Sequence, residues 1–383
     1  MDPELDQTDE IVTHTIQILR IAANLRADAV QVLQDLQTEL IAKIEEIAPD
    51  SLTGRRLKAL LRQAEESIAA AYDDLWEYQE LGLRSIAAAE GSFTISTVNA
   101  AIGAPVISVV IPEKLLEAVV DGDTIFGHSA KAWWKAQEQD YAFKFAGAIR
   151  QGLLQGESID QMVRRVRGTK SKEFKDGIAP GSGVGPIKRR EAEALVRSAA
   201  ISTSNEVRLR TMDQISDVTN AIEWVSTLDS RTTDICRALS GLRWSIPDYK
   251  PIGHDKVFPG PTAHWNCRST QVPVTKSWSE LTGKKIPSFD NKTLEARMRQ
   301  ILRKQGLSEE EIANAQARTR ASMGGPIAQN VTMDEWMKDK PDAFLDQTLG
   351  KGRAKLFREG KITMADLTDQ TNRPLTLDEL KAL

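Results

Sequence analysis

From Ile11 to Ile47 apolar residues recur at steps of three and four, most clearly as Ala29, Leu33, Leu36, Leu40, Ile44 and Ile47. That spacing predicts one long amphipathic helix, or two nearly continuous ones. Pro49-Asp50-Ser51 stops it, and apolar positions from Leu57 to Ala70, with Leu75, start another. Two helices carrying one stripe each must bury those stripes, by default against each other and otherwise against a partner. Residues 91–111 change character. The segments SFTIS (92–96) and VISVVI (106–111) are short and rich in β-branched residues, so they read as strands or extended packing segments. Helix resumes at PEKLLEAVVDG, with Pro112 suited to a first helical position.

Residues 128–168 combine Trp133, Trp134, Tyr141, Phe143 and Phe145 with good helix formers, punctuated by Gly156-Glu157-Ser158 before a further helix. A nucleic-acid stacking platform is one use for such rings. At helical spacing without basic residues on the same turns, they read as core. The stretch GTKSKEFKDGIAPGSGVGPIKRR has five glycines and two prolines, which predicts a linker or lid. It is no phosphate loop, because no strand precedes it and no GK[ST] follows.

A helix is predicted over 191–212, then a strand over 221–227 with Ile222 and Trp224, or their neighbours, inward. A short helix follows, capped by Ser230 or Thr232 and closed by Gly241 in the left-handed conformation. A turn-rich loop leads to another strand, in which Thr270, Val272 and Val274 alternate. Helices are predicted again in NKTLEARMRQILRKQG and SEEEIANAQAR, and as fragments such as MDEWMKDK and GKGRAKLFREGKITMADL in 322–383. The fold class is therefore mainly α with a small α+β module. Its parts are a helical region 1–90, a domain 91–276 (helical 112–167, basic linker 168–190, α+β core 191–276) and a helical extension 277–383.

Length and composition refine this picture. A chain of 383 residues, 41% hydrophobic and 27% charged, should fold into two or three domains. No apolar run approaches the roughly 20 residues of a spanning helix. The acidic start MDPELDQTDE lacks the design of a secretion signal, which implies cytoplasmic synthesis and reduced thiols. The net charge of −4 conceals an asymmetry, with 17 Asp/Glu against 7 Lys/Arg in residues 1–82. Residues 164–190 reverse it: Arg164, Arg165, Arg167, Lys170, Lys172, Lys175, Lys188, Arg189 and Arg190 face only Glu173 and Asp176. Such a block attracts phosphates or an acidic protein surface, unless it is only a solvated loop.

Cys236, His254, His264 and Cys267 hold both thiols and half the imidazoles of the chain. A zinc site would need all four, yet only His264 and Cys267 have ligand-like spacing. A cysteine nucleophile, Cys267 or Cys236 with His264 as base, would need an oxyanion site and an activating helix start or cation. The letters HWN are too few to indicate a metal-dependent nuclease. A scaffold reading explains more: a close thiol pair pins the base of the loop, and Asp229, Arg231 and Arg268 staple its two ends. No catalytic residue, metal or cofactor is assigned.

The order WVSTLDSRTTDICRALSGLRW, a Pro/Gly-rich loop and PTAHWNCRSTQVPV resembles the head morphogenesis family of tailed bacteriophages typified by the F protein of phage Mu. The resemblance rests on Thr227, Asp229, Arg231, Thr232, Cys236, Leu239, Gly241, Pro261, His264, Cys267 and Arg268. The helical stretches QGLLQGESIDQMVRRVRG and REAEALVRSAAISTSNE support it, and LGKGRAKLFREGKITMADLTDQTNRPLTLDEL does so more loosely. Many members carry C-P-x-C and C-R-C; this chain has Thr233-Asp234-Ile235-Cys236 and Cys267-Arg268-Ser269, so one thiol of each pair is gone. The resemblance implies a structural minor head protein in the virion head interior or at the portal vertex, present in few copies. Its implied partners are the portal protein, other head proteins and packaged double-stranded DNA, with no membrane and no small-molecule substrate. Two other classes are a Cys/His-based hydrolase or transferase carried by the virion, and a DNA-binding protein that uses the basic block.

Overall fold

The computed structural model describes residues 3–46, 54–168, 183–276, 280–281, 319–322, 325–328 and 332–383. Helix α1 spans Pro3–Glu45 and α2 spans Gly54–Ile102. The chain forms two compact units, each built from separated stretches: Ile18–Ala87 with Lys114–Thr203, and Met1–Gln17, Ala88–Glu113 and Ser204–Leu383.

The first of these, the helical unit, is organised by the stripe that the sequence displays. Ala29, Leu33, Leu36, Leu40 and Ile44 are all buried; Ile47 lies outside the described residues. Each fully buried Leu or Ile side chain contributes about 1.5–3 kcal/mol relative to exposure. Polar edges fix the pairing of α1 with α2: Tyr78 Oη donates to Asp28 Oδ2 at 2.6 Å and Ser67 Oγ to Glu39 Oε1 at 2.7 Å. Equal strides along both helices in opposite directions mean an antiparallel hairpin. Gly82 is required where the two approach, since a Cβ there would lie 2.7 Å from Leu25 Cδ1.

Helices α3 (Glu113–Asp121), α4 (Ala130–Leu154), α5 (Ile159–Arg167) and α6 (Val184–Gln214) follow. Trp134, Tyr141 and Phe145 are core residues, with Tyr72 edge-on to both Trp134 and Tyr141. Phe143 departs from that expectation, because it faces outward and is 77% exposed. Ser158 caps α5 in a reciprocal box with Gln161, the break foreseen at 156–158.

Two expectations are corrected. Residues 92–96 are neither strand nor extended segment but part of the last turns of α2, whereas 106–111 form an irregular packing segment rather than a strand, with Ile107 and Ile111 buried. The buried positions Glu90, Thr94, Thr97, Val98, Ala101 and Ile102 keep the helical period, but half of them are polar and so escape an apolar scan. Thr97 Oγ1 returns its proton to the Phe93 carbonyl at 2.8 Å, which suits a β-branched residue to a helix. The helix expected from Glu191 begins at Val184, so the end of the supposed linker is ordered. Gly185 is there for close packing rather than freedom, since a Cβ would collide with Gln37. Residues 169–182, with Lys170 and Lys172, lie outside the described residues, as do both helices predicted over 291–318.

The second unit, the module, contains a four-stranded antiparallel sheet in the order β3-β2-β1-β4. Its strands are β1 (Thr219–Val225), β2 (Arg243–Ser245), β3 (Pro251–Ile252) and β4 (Thr270–Thr275), with helix α7 (Asp234–Leu239) between β1 and β2. Ile222 and Trp224 point into a core with Leu209, Met212, Trp244 and Leu239. Val225 and Val272, on the opposite face, pack with Ile11, Val12 and Phe93. Both faces are thus covered, and β4 is buried throughout except at Thr275. A short hairpin, β5 (Thr319–Ser322) with β6 (Gly325–Ala328), interrupts the helical C-terminal part.

The chain then forms α8 (Met333–Lys338), α9 (Asp342–Leu349), α10 (Lys351–Arg358) and α11 (Leu377–Lys381). Trp336, Phe357, Met364 and Leu367 share one core with Leu228 and Ala238 of the module. No described helix is long and apolar enough to cross a membrane.

Candidate functional site

The motif residues converge at the end of β1, the first turn of α7 and the entry to β4. Asp229 lies just past β1 and accepts two hydrogen bonds from Arg268, at 2.5 and 2.8 Å, and one from the Arg231 backbone N–H at 2.9 Å. Burial raises the Asp229 carboxyl, but the Arg268 bonds and charge outweigh it, so the group is held below the ordinary carboxylate range. Arg231 does not share this role: its side chain is 84% exposed and 4.0 Å from Asp229. Arg268 has displaced it because a fork opposite the carboxylate makes two parallel bonds, whereas a residue two positions away cannot.

The cap of α7 is neither Ser230 nor Thr232 but Thr233, whose hydroxyl accepts the Cys236 N–H at 3.3 Å. Thr232 is occupied elsewhere, donating to the Thr227 carbonyl at 2.5 Å. Gly241 has φ 84, the left-handed closure expected after α7, and Leu239 is fully buried. The Pro261 carbonyl accepts from Asn205 Nδ2 at 2.7 Å and Gln271 Nε2 at 3.1 Å, which ties the long loop to α6 and β4.

Cys236, His264 and Cys267 come together, and His254 does not join them. Cys236 Sγ lies 3.0 Å from His264 Nε2 and 3.7 Å from Cys267 Sγ. His264 Nε2 is also 2.8 Å from Thr233 Oγ1, and its Nδ1 is 2.8 Å from the Trp265 carbonyl. His254 is used up in its own loop, with Nε2 on the Arg243 carbonyl at 2.8 Å, Nδ1 on the Lys256 N–H at 3.1 Å and its ring edge-on to Trp244. Among the described residues, Cys236, His264 and Cys267 are the group able to hold a metal ion.

Cys267 is held well below an ordinary thiol, chiefly by the hydrogen bond from Cys236 and then, against the cost of burial, by His264. Cys236 is pushed well above its usual value by the same bond, with burial and the charge on Cys267 adding to it. Burial works against an imidazolium at His264, but bonding to Cys267 and its charge raise that group overall. The centre thus favours one shared thiolate beside an imidazole, both sulfurs being buried.

Several supporting residues escaped sequence reading. On α6, Ser204, Asn205, Arg208 and Thr211 form a buried polar stripe. Arg208 reaches Glu90 Oε1 at 2.7 Å, the Gln271 carbonyl at 3.1 Å and Thr270. Glu90 also meets Ser204 at 2.6 Å and His14 at 3.0 Å. Burial would raise the Glu90 carboxyl, yet Arg208, His14 and Ser204 hold it at about 2. Asp234 is clamped by Arg237 at 2.8 Å and by Arg353 at 2.6 Å. Lys256, lowered by burial, donates to the Thr368 carbonyl at 2.7 Å. The signal available in sequence was polar residues at helical spacing in an otherwise apolar helix; their partners lie too far along the chain to be read.

The basic block is only partly a surface. Arg165 pairs with Glu157 at 2.5 and 2.7 Å, Lys188 is buried against Asp140 and Glu191, and Arg189 bonds Gln37 at 2.6 Å. Arg164, Arg167 and Arg190 are exposed.

No curated protein and no solved structure matches the chain. Residues 144–272, from the second half of α4 to β4, match the family described as Phage Mu protein F like protein, so that over this segment the chain is similar to that family.

Proposed function

We propose that the chain is a structural minor head protein that acts at the portal vertex in capsid assembly, DNA packaging or genome delivery and turns over no substrate. The observation that carries this reading is the inward turn of five motif residues: Asp229, Thr232, Cys236 and Cys267 are buried and bond one another or the backbone, and Leu239 packs in the core beside them. Residues spent on internal contacts specify a shape, and a shape is what an assembly part contributes. The exposed Arg164, Arg167 and Arg190 offer phosphate contacts to packaged DNA. Arg165 and Lys188 are less exposed and add little to that contact.

The test is co-purification of the tagged chain with procapsids assembled with and without portal protein. Portal-dependent incorporation is the expected result. Incorporation that ignores the portal removes the vertex assignment, and no incorporation removes the head role.

The Cys267–His264 pair favours one rival, a thiol-dependent hydrolase or transferase. Reactive cysteines are partly exposed, whereas Cys267 is 0% exposed. Cys267→Ala separates the two: the structural reading expects a lowered melting temperature with no activity to lose, and the enzyme reading a folded but inactive protein.

A further inference from the structure

We propose that Cys236, His264 and Cys267 bind a zinc ion through their two Sγ atoms and Nε2, with solvent as the fourth ligand. The inference does not depend on the head role.

The first ground is spacing. The three ligand atoms lie within 4.8 Å of one another, although 28 residues separate Cys236 from His264 along the chain. The two sulfurs are 3.7 Å apart. Two thiolates bound at about 2.3 Å to one tetrahedral zinc stand about 3.8 Å apart, so the sulfur edge is already set for the ion. It is far longer than the roughly 2.05 Å of a disulfide. The imidazole edge is shorter, at 3.0 Å from Cys236 Sγ. A zinc-bound pair of that kind stands about 3.6 Å apart, so the ring must withdraw by roughly half an ångström. His264 lies only partly buried at the outer side of the centre and has that freedom.

The second ground is the tautomer. His264 Nδ1 is 2.8 Å from the Trp265 carbonyl oxygen, which can only accept, so Nδ1 carries the proton. The lone pair of Nε2 is therefore left to accept, and it lies 3.0 Å from Cys236 Sγ and 2.8 Å from the Thr233 hydroxyl, which a bound ion would displace. A zinc-ligating histidine is oriented in the same way, by donating its other N–H to a backbone carbonyl or carboxylate. His254 has the opposite arrangement, with Nε2 on a carbonyl and Nδ1 on an N–H, and no lone pair to spare.

The third ground is rigidity. Cys236 sits in the first turn of α7 behind the Thr233 cap, and its carbonyl accepts from Ser226 Oγ at 2.6 Å. The Cys267 N–H donates to the His264 carbonyl at 3.1 Å, and the next residue is locked to Asp229. The ligands are therefore held before any ion arrives, and two thiolates with an imidazole select zinc over magnesium or calcium.

The experiment uses the full chain, purified under reducing conditions, with metal content measured and cobalt(II) substituted for zinc. The expected result is about one zinc per chain, as a single three-ligand site requires, and cobalt spectra with thiolate charge-transfer and tetrahedral d–d bands. His264→Ala should weaken retention, each Cys→Ser variant should reduce the charge-transfer band, and His254→Ala should change nothing. Folded, reduced wild-type protein that retains no zinc and gives no cobalt bands would overturn the proposal. So would equal loss in His254→Ala, or a Cys236–Cys267 disulfide in protein alkylated at lysis. Because the wild-type spectrum and the two histidine variants decide the outcome, misfolding of a cysteine variant does not blunt the test.

Discussion

The helical unit and the module solve the same problem by opposite means. In the helical unit a repeated apolar stripe does the work: Leu33, Leu36 and Leu40 are interchangeable in kind, and each contributes the same non-directional burial. In the module the stabilising contacts are directional and unlike one another, with Arg208 on Glu90, Arg268 on Asp229 and Asn205 on the Pro261 carbonyl. A stripe tolerates any hydrophobe of about the right size, whereas a guanidinium fork accepts one geometry. The difference predicts where single substitutions act gently and where they do not.

The strongest way to break the module is Arg208→Ala, which takes the guanidinium away from the fully buried Glu90 and leaves it only Ser204, Thr94 and His14, and should cost about 3–5 kcal/mol in denaturant unfolding. Arg208→Lys should recover little of this, because an ammonium cannot reach Glu90 and the Gln271 carbonyl together. In the helical unit Leu33→Ala should cost about 3 kcal/mol, but Leu33→Met less than about 1.5 kcal/mol. If both conservative swaps were equally tolerated, the contrast between the two units would fail.

Acid sharpens the same comparison. Glu90 is held at about 2 in the folded protein, against roughly 4.3 for an ordinary glutamate. A depressed folded value means that the contribution is complete above the unfolded value and drains away as pH falls toward 2. Stability measured between pH 5 and 2 should therefore decline in the wild type and decline less in Glu90→Gln. At the small end, Thr233→Ala should cost about 1 kcal/mol as a lost helix cap. Arg231→Ala should change stability by less than about 0.5 kcal/mol, since that side chain is 84% exposed. A large effect at Arg231 with unchanged melting would point to a partner contact instead.

Legibility followed the same divide. The stripe of α1 was plain, because each buried position is apolar. The end of α2 reads in the sequence as strand or extended segment, because Glu90, Thr94 and Thr97 are buried polar residues whose period an apolar scan does not count. In the site, the motif residues from Thr227 to Arg268 were visible as a pattern. Their division of labour was not: Arg268 rather than Arg231 holds Asp229, and Thr233 rather than Ser230 or Thr232 caps α7. The basic block misled for a related reason, as charge counted along the chain ignores Glu157, Asp140 and Glu191 arriving beside Arg165 and Lys188.

The sequence by itself determined the helical character and the strand-helix-strand order of the module, since both rest on local period and spacing. Only the tertiary structure decided which charges are spent internally, and that Cys236 meets His264 and Cys267. Such pairings depend on distances in space between residues far apart in the chain, and no local pattern encodes them.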